Sequence, residues 1–575
     1  MNKKILTGAD VELAITLEKE KIELDENIII TDIAKEMADK AGILLVIKPE
    51  RPPEKDSDIS ETKSDIKSSG EQEELLTQDT ITTEDMVTKD MVVKYGTEEE
   101  ILNKIKEQDE KINDIYQKLS ISNYGLKEKD LTEANEILDL KIKNGFCVMP
   151  GYGVYNFDIG IKEGVIWSLG RDINIQSKET VDATGKCILP GIIDPHIHLG
   201  IYNDFELEVQ TETKAAIMGG VTTAGCFFGG EDSHLQSFSK LKPLIDEQSL
   251  IDIIPHFAIM NYRQLEEIPE YISKFGVKTF KVYMCGIPGI VPDADDGFIL
   301  DVFEVIKEVK EDCTVFIHAE NPILIRRASN KFSGTGGDSL KAWALTRPNM
   351  AEEEAVRRAS FYAEKTGVKV YFVHISTKEA ANALREIKTQ RGLNNIYAET
   401  TSPYLTLSTE SKVGIKGKMI PPIRDRVSVE ALWKALSDGI IDTVGTDNTT
   451  ITLKEKKVNE DIWGAVPGYP AVATHLPSML HSGINSGKIS LEKLVEVMCQ
   501  NPAKILGIYP KKGTIMPNSD ADLVIVDLDK KIRATPEILG SRSDFSLFDG
   551  KELIGWPVMT IKSGKIVAEN MKLRI

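Results

Sequence analysis

Residues 191–200 read GIIDPHIHLG, an apolar run carrying two histidines one residue apart. In a β-strand, residues i and i+2 point to the same face, so His196 and His198 stand side by side where one ion can take both imidazoles. The pair alone does not establish a metal site, because a buried histidine is more often satisfied by a backbone partner. What the rest of the chain sets beside it decides the reading.

Seven further apolar runs follow, VTTAGCFF, IDIIPHFAIM, VKTFKVYM, CTVFIHAE, VKVYFVHIS, NNIYAETT and IIDTVGTD, each separated from the next by a helical pattern. Near-continuous apolar runs are what parallel strands buried on both faces require. Eight βα units over about 300 residues predict an α/β fold, a (β/α)8 TIM-like barrel, with its active site at the C-terminal ends of the strands. Groups able to bind metal fall at those ends: His196 and His198 on the first strand, Lys281 on the fourth, His318 on the fifth, His374 on the sixth and Asp447 on the eighth. Four of the chain's eight histidines are so placed, and together they point to a metal site. His234, His256, His475 and His481 lack this placement and read as structural or surface residues.

The 575 residues exceed the reach of one hydrophobic core, so several domains are expected. Charge places them. Residues 51–100 hold 15 acidic against 6 basic side chains, and residues 51–94 contain no aromatic residue. Such a stretch buries too little apolar surface to offset the entropy of ordering. The reading is a small α/β module over 1–50, with helix, strand, helix, strand and Thr31 as a helix cap, then an acidic disordered linker and an amphipathic helix over 51–130. Short strands follow over 131–190, with Asn144-Gly145 and Glu163-Gly164 as hairpin turns. Strand-like sequence returns over 509–575, so a β-sandwich assembled from both flanks brackets the 191–508 barrel.

The whole chain carries 70 Lys+Arg against 90 Asp+Glu, a balance that argues against nucleic acid or an anionic membrane as partner. No apolar run is long enough for a membrane span or a signal peptide, so a cytoplasmic location is expected. The six scattered cysteines read as reduced and semi-buried.

The segments DATGKCILPGIIDPHIHLG, GGVTT, FKVYM, IHAEN, RPNMAEEEAVRRA, VHIST, ETTSPYL, PPIRD, ALWKALSDG and KGTIMPNSDADLVI resemble the cyclic amidohydrolases, above all the dihydropyrimidinase and hydantoinase branch. The resemblance runs from about residue 136 to the C-terminus. It implies a homotetramer and two divalent metal ions, zinc as the expected element, bridged by a carbamate that carbon dioxide forms on Lys281. His196, His198 and Asp447 would hold one metal and His318 and His374 the other. A hydroxide shared between the metals would open the ring of a small cyclic amide or ureide, with Asp447 as general base and then acid. Glu320 would orient His318. Lys278, three residues from Lys281, lies on the opposite strand face and reads as exposed. Allantoinase-like or dihydroorotase-like ring specificity, and a non-catalytic dihydropyrimidinase-like scaffold, are the alternatives.

Departures bear on the substrate. Gly286 stands where hydantoinases usually carry an oxyanion-holding tyrosine, and Tyr283 is the substitute on the Lys281 face. Ile420 replaces the usual serine, Val466-Pro467-Gly468-Tyr469 the usual PNG, and Asn448 the usual histidine after Asp447. Residues 5–48 resemble a segment of bacterial ethanolamine-utilisation and microcompartment-associated proteins, which implies that residues 1–130 recruit the enzyme to a microcompartment or other larger assembly.

Overall fold

The computed structural model describes residues 137–574 apart from Pro288, Gly336, Asp338 and Asn459, and before them the backbone of four short strands. Those four are β1 (Ile5–Leu6), β2 (Lys21–Leu24), β3 (Ile29–Ile30) and β4 (Leu44–Ile47), with β1 parallel to β3 and β2 parallel to β4. The sequence predicts two strands here, and four are present. Elements of two residues are too short to show alternation and exist as strands only through a partner remote in sequence. The linker, the amphipathic helix and the Thr31 cap lie outside the described residues.

Both flanks of the barrel contribute to one nine-stranded sheet. The first flank supplies β5 (Leu138–Met149), β6 (Gly153–Lys162), β7 (Val165–Gly170), β8 (Ser177–Asp182) and β9 (Cys187–Pro190). Glu163 and Gly164, at φ 51° and 80°, make the expected two-residue hairpin between β6 and β7. Asn144-Gly145 does not turn the chain. The strand runs through it, and the register with β6 slips between Ile142 and Gly145, which is a β-bulge. Asn144 takes φ 63° there, with its N–H bonded to Asp158 Oδ1 at 3.1 Å.

The barrel strands are β10 (Ile192–His198), β11 (Val221–Phe228), β12 (Asp252–Ala258), β13 (Thr279–Tyr283), β14 (Thr314–His318), β15 (Lys369–Phe372), β16 (Ile396–Thr401) and β17 (Thr443–Gly445), followed by the two-residue β18 (Asn448–Thr449). All neighbours pair in parallel in sequence order. β17 pairs with β16 and β18 with β10, so the eighth strand is in two pieces and the ring closes through Thr446 and Asp447. Asp194 fastens this seam: its buried carboxylate accepts from the backbone N–H groups of His196 (3.1 Å) and Thr446 (3.0 Å) and from the Thr446 hydroxyl (2.6 Å).

Strands β11 and β14 are buried at every residue, as their largely apolar sequences demand. Side-chain caps start the surrounding helices, among them Asp204 for 205–218, Ser233 for 234–248, Asp295 for 296–308 and Asp425 for 426–437. The second flank closes the sheet with β19 (Leu523–Arg533), β20 (Glu552–Lys562), β21 (Lys565–Glu569) and β22 (Lys572–Leu573), β19 pairing with β9. All six cysteines are free, and all are fully buried rather than half-buried, since each packs as a small apolar side chain. No described helix is long and apolar enough to cross a membrane.

Candidate active site

The six residues singled out in the sequence lie in the barrel interior at or near the C-terminal strand ends, in two neighbouring groups with Lys281 between strands that carry them. His196 Nε2 and His198 Nε2 approach Asp447 Oδ1 to 3.2 and 3.1 Å. One ligand atom from each of these three residues lies within 4.8 Å of the others, a spacing that one ion can span. In the second group His318 Nδ1 faces His374 Nε2 at 3.0 Å. The groups adjoin, with the rings of His196 and His374 5.5 Å apart. His374 (φ 42°) and Asp447 (φ 55°) both hold left-handed backbone without being glycine, a strained conformation that aims their side chains inward.

Each half rests on a buried carboxylate. Glu320 Oε2 accepts from His318 Nε2 at 2.9 Å, which leaves Nδ1 to face the site, and Arg347 grips the same carboxylate in turn. Burial alone would push Glu320 up, but Arg347 and His318 hold it at about 2. The expected role of Glu320 therefore has its geometry. Glu399 was not legible in the sequence. Its Oε1 takes His196 Nδ1 at 2.9 Å and the backbone N–H of His374 at 3.1 Å, while its Oε2 takes the Tyr371 hydroxyl at 2.8 Å. One oxygen thus ties a histidine of the first group to the backbone of the second. The available signal was a charged residue inside the otherwise uncharged IYAETT strand. Glu399→Gln keeps the shape but loses the charge, and metal affinity is expected to fall about 10- to 100-fold in a chelator competition. Unchanged affinity would remove Glu399 from this role.

Lys281 is 1 % exposed, and its amine has no hydrogen-bond partner among the described residues. It lies 4.9 Å from the centre of the Phe227 ring and 5.1 Å from that of Tyr283. Burial pulls its pKa down to about 7 against the opposing pull of Glu399 and Asp447, so the neutral amine is accessible near neutrality. Burial, with help from His318 and Lys281, also holds His374 well below its usual range, and burial lowers His198 and His318. These are neutral imidazoles, the form that binds metal. Burial opposes the charge on Asp447, yet His196 and His198 keep it ionised. Three neutral imidazoles, an ionised carboxylate and an unpartnered buried amine form a donor set that fits divalent cations, whereas His196, against its burial, is raised to about 9 by Glu399 and Asp447 and gives up its proton to join them.

The remaining histidines stay out of both groups. His256 lies buried in the barrel interior, bonded to Thr279 Oγ1 at 2.5 Å and Pro195 O at 3.2 Å, and His234 bonds Ala258 O. His475 bonds Ser402 Oγ, and His481 accepts from Ile554 N–H. Lys278 is exposed, as expected, in a hollow with Asp312, Asp442 and Lys504.

A cavity of about 450 Å³ opens beside His198 and Asp447. Its walls are mostly apolar, with Phe205, Phe228, Met260 and Ile290 among them, and its polar groups include Tyr283 and Tyr469. Ile420 is also in the wall. Gly286 is excluded from any such role, because a Cβ there would fall 2.1 Å from Val291 O. Asn448 faces away from the ligands and accepts from the backbone N–H groups of Ala471 and Val472.

Residues 187–567 match the amidohydrolase family. The chain belongs to that family. The L-hydantoinase of Paenarthrobacter aurescens is 30% identical over 448 residues, 75% of this chain and 95% of that one. The D-hydantoinase of Geobacillus stearothermophilus is 31% identical over 447 residues, 75% of this chain and 93% of its own. Among solved structures, dihydropyrimidinase from Brevibacillus agri superposes with a TM-score of 0.70 at 29% identity, covering 76% of this chain and 96% of that one. This amidohydrolase is therefore a metal-dependent enzyme of the hydantoinase and dihydropyrimidinase branch, and it acts as a cyclic amidohydrolase.

Proposed function

We propose that the enzyme hydrolyses the ring C–N bond of a cyclic amide or ureide bearing an apolar substituent, using two divalent ions, zinc as the expected element. His196, His198 and Asp447 would hold one ion, His318 and His374 the other, with Lys281 carrying a carbamate toward both. The observation that carries this reading is the buried amine of Lys281, without a partner, beside two groups of inward-facing ligands. A bare ammonium there repels cations, whereas a carbamate supplies the anion they need. Bound divalent ions supply Lewis-acid polarisation of the scissile carbonyl and a water acidic enough to attack near neutral pH.

The chain's own groups do the rest. Asp447 Oδ1 faces both histidines of the first group, and Oδ2 faces Tyr469, so Oδ2 is the atom on which the attacking water's proton is held. Handing that proton to the ring nitrogen lets it leave as a neutral amide nitrogen. Glu320 and Glu399 fix the imidazole rings, and the apolar walls exclude competing water and accept the exocyclic group. All six ligand positions are filled, which speaks against a non-catalytic scaffold.

Specificity follows from the wall. Ile420 offers no side-chain hydrogen bond where a polar ring would seek one, and a site lacking such a partner discriminates strongly among polar rings. Unsubstituted hydantoin and dihydrouracil should be poor substrates beside a hydantoin with a phenyl group at carbon 5. A hydrolysis screen over these three with allantoin and dihydroorotate, alongside metal analysis, tests the reading. Catalytic efficiency on dihydrouracil of about 10⁵ M⁻¹ s⁻¹ or above would contradict it. A homotetramer, a cytoplasmic location and a recruiting role for residues 1–130 belong to the same proposal, although the comparisons lend no support to a microcompartment.

A further inference from the structure

One wall of the cavity is formed by Pro467, Gly468 and Tyr469, the end of the segment 463–469. Its backbone carbonyls are captured by two buried lysines that, among the described residues, have no carboxylate bonded to either. Lys456 Nζ donates to Lys418 O (3.0 Å), Val466 O (2.9 Å) and Gly468 O (2.6 Å). Lys418 Nζ donates to Trp463 O (3.1 Å) and Ala465 O (2.6 Å) and lies 4.2 Å from the centre of the Trp343 ring. Three acceptors around Lys456 use all three protons of an ammonium. The lysines are 0 % and 3 % exposed, and burial holds Lys456 well below the usual lysine range and brings Lys418 down to about 8, so the carbonyl hydrogen bonds are what compensates their burial.

That conformation sets Tyr469 against Asp447. The Tyr469 carbonyl accepts from Thr449 N–H at 3.0 Å, and Gly468 lies against the Tyr202 ring, where a Cβ would come within 2.8 Å. The phenol, 2 % exposed, lies 3.2 Å from Asp447 Oδ2 and 3.1 Å from Thr446 O. A phenol has a single proton to give, and an ionised carboxylate is the stronger acceptor. Asp447 Oδ1 is turned toward His196 and His198, and Tyr469 holds the other oxygen.

We propose that Tyr469 is a positioning residue for Asp447, fixing Oδ2 for proton transfer, and that Lys456 acts on the reaction through Tyr469. This rests on Asp447 moving the proton, as set out above. The probe is hydrolysis of hydantoin carrying a phenyl group at carbon 5 by the zinc-loaded full chain, with metal content and melting temperature measured on every variant. Tyr469→Phe should lower kcat about 10- to 100-fold, the worth of one hydrogen bond to a charged group, and leave KM within about 3-fold. Metal content should stay at the wild-type value and the solvent deuterium isotope effect on kcat should rise, because proton transfer becomes more limiting.

Lys456→Met should lower kcat as well, but adding it to Tyr469→Phe should cost little more, since both changes act on one contact. If Lys456→Met does not fold, Lys456→Gln, which keeps two donors, completes the cycle. Wild-type kcat in Tyr469→Phe, loss of metal in that variant, or fully additive effects would each overturn the proposal. Asp447→Asn separates the two readings: activity in that variant refutes the Asp447 assignment itself, whereas an inactive Asp447→Asn beside an unaffected Tyr469→Phe refutes this inference alone.

Discussion

Lys281→Ala is expected to abolish turnover and to lower the bound metal, because no anion then remains to lie between two cations. The native side chain has the surroundings this requires: it is buried, unbonded and depressed to about 7, so a neutral amine is available to take up carbon dioxide. Lys278→Ala is the matched comparison. Lys278 is exposed, its neighbours are Asp312, Asp442 and Lys504, and its removal should leave both activity and metal content close to wild type. Rates and metal content measured on the two variants side by side decide the point, and equal behaviour would refute the carbamate assignment.

Asp447→Asn carries the second large effect. The amide keeps the shape but cannot accept a proton, and it weakens the ligand set formed with His196 and His198. Turnover should fall by at least about 10²-fold, the usual worth of general acid–base catalysis. Metal analysis of the same sample separates the two losses: retained metal with a collapsed kcat assigns the loss to proton transfer. Near-normal turnover would contradict the mechanism.

The barrel was legible because its strands are buried on both faces and so read as apolar runs, five of them with a metal-binding residue type near the C-terminal end, as in FKVYM and VFIHAE. The bulge at Asn144 was not, since Asn-Gly supplies left-handed backbone to a turn and to a bulge alike, and only pairing partners distinguish them. The ligands stood out as histidines in unusual places. Glu399 and Asp194 did not, because their roles depend on which backbone N–H groups arrive from strands far off in sequence: His374 for the one, Thr446 for the other. Tyr469 was visible only as part of a departure from the PNG pattern. Its contact with Asp447 needs the fold of the 463–469 segment, which two buried lysines hold through carbonyl groups that carry no sequence signal.

The central claim is that turnover requires two divalent ions held by His196, His198, Lys281, His318, His374 and Asp447. Removing metal from the purified enzyme with a chelator and restoring zinc stepwise, with bicarbonate present, tests it directly when bound metal per chain and hydrolysis rate are read on each sample. The expected result is no turnover in the stripped protein and full recovery as bound zinc approaches two ions per chain, in line with a two-metal site. Turnover that persists in the metal-free protein, or that is complete with a single ion bound, would contradict the account.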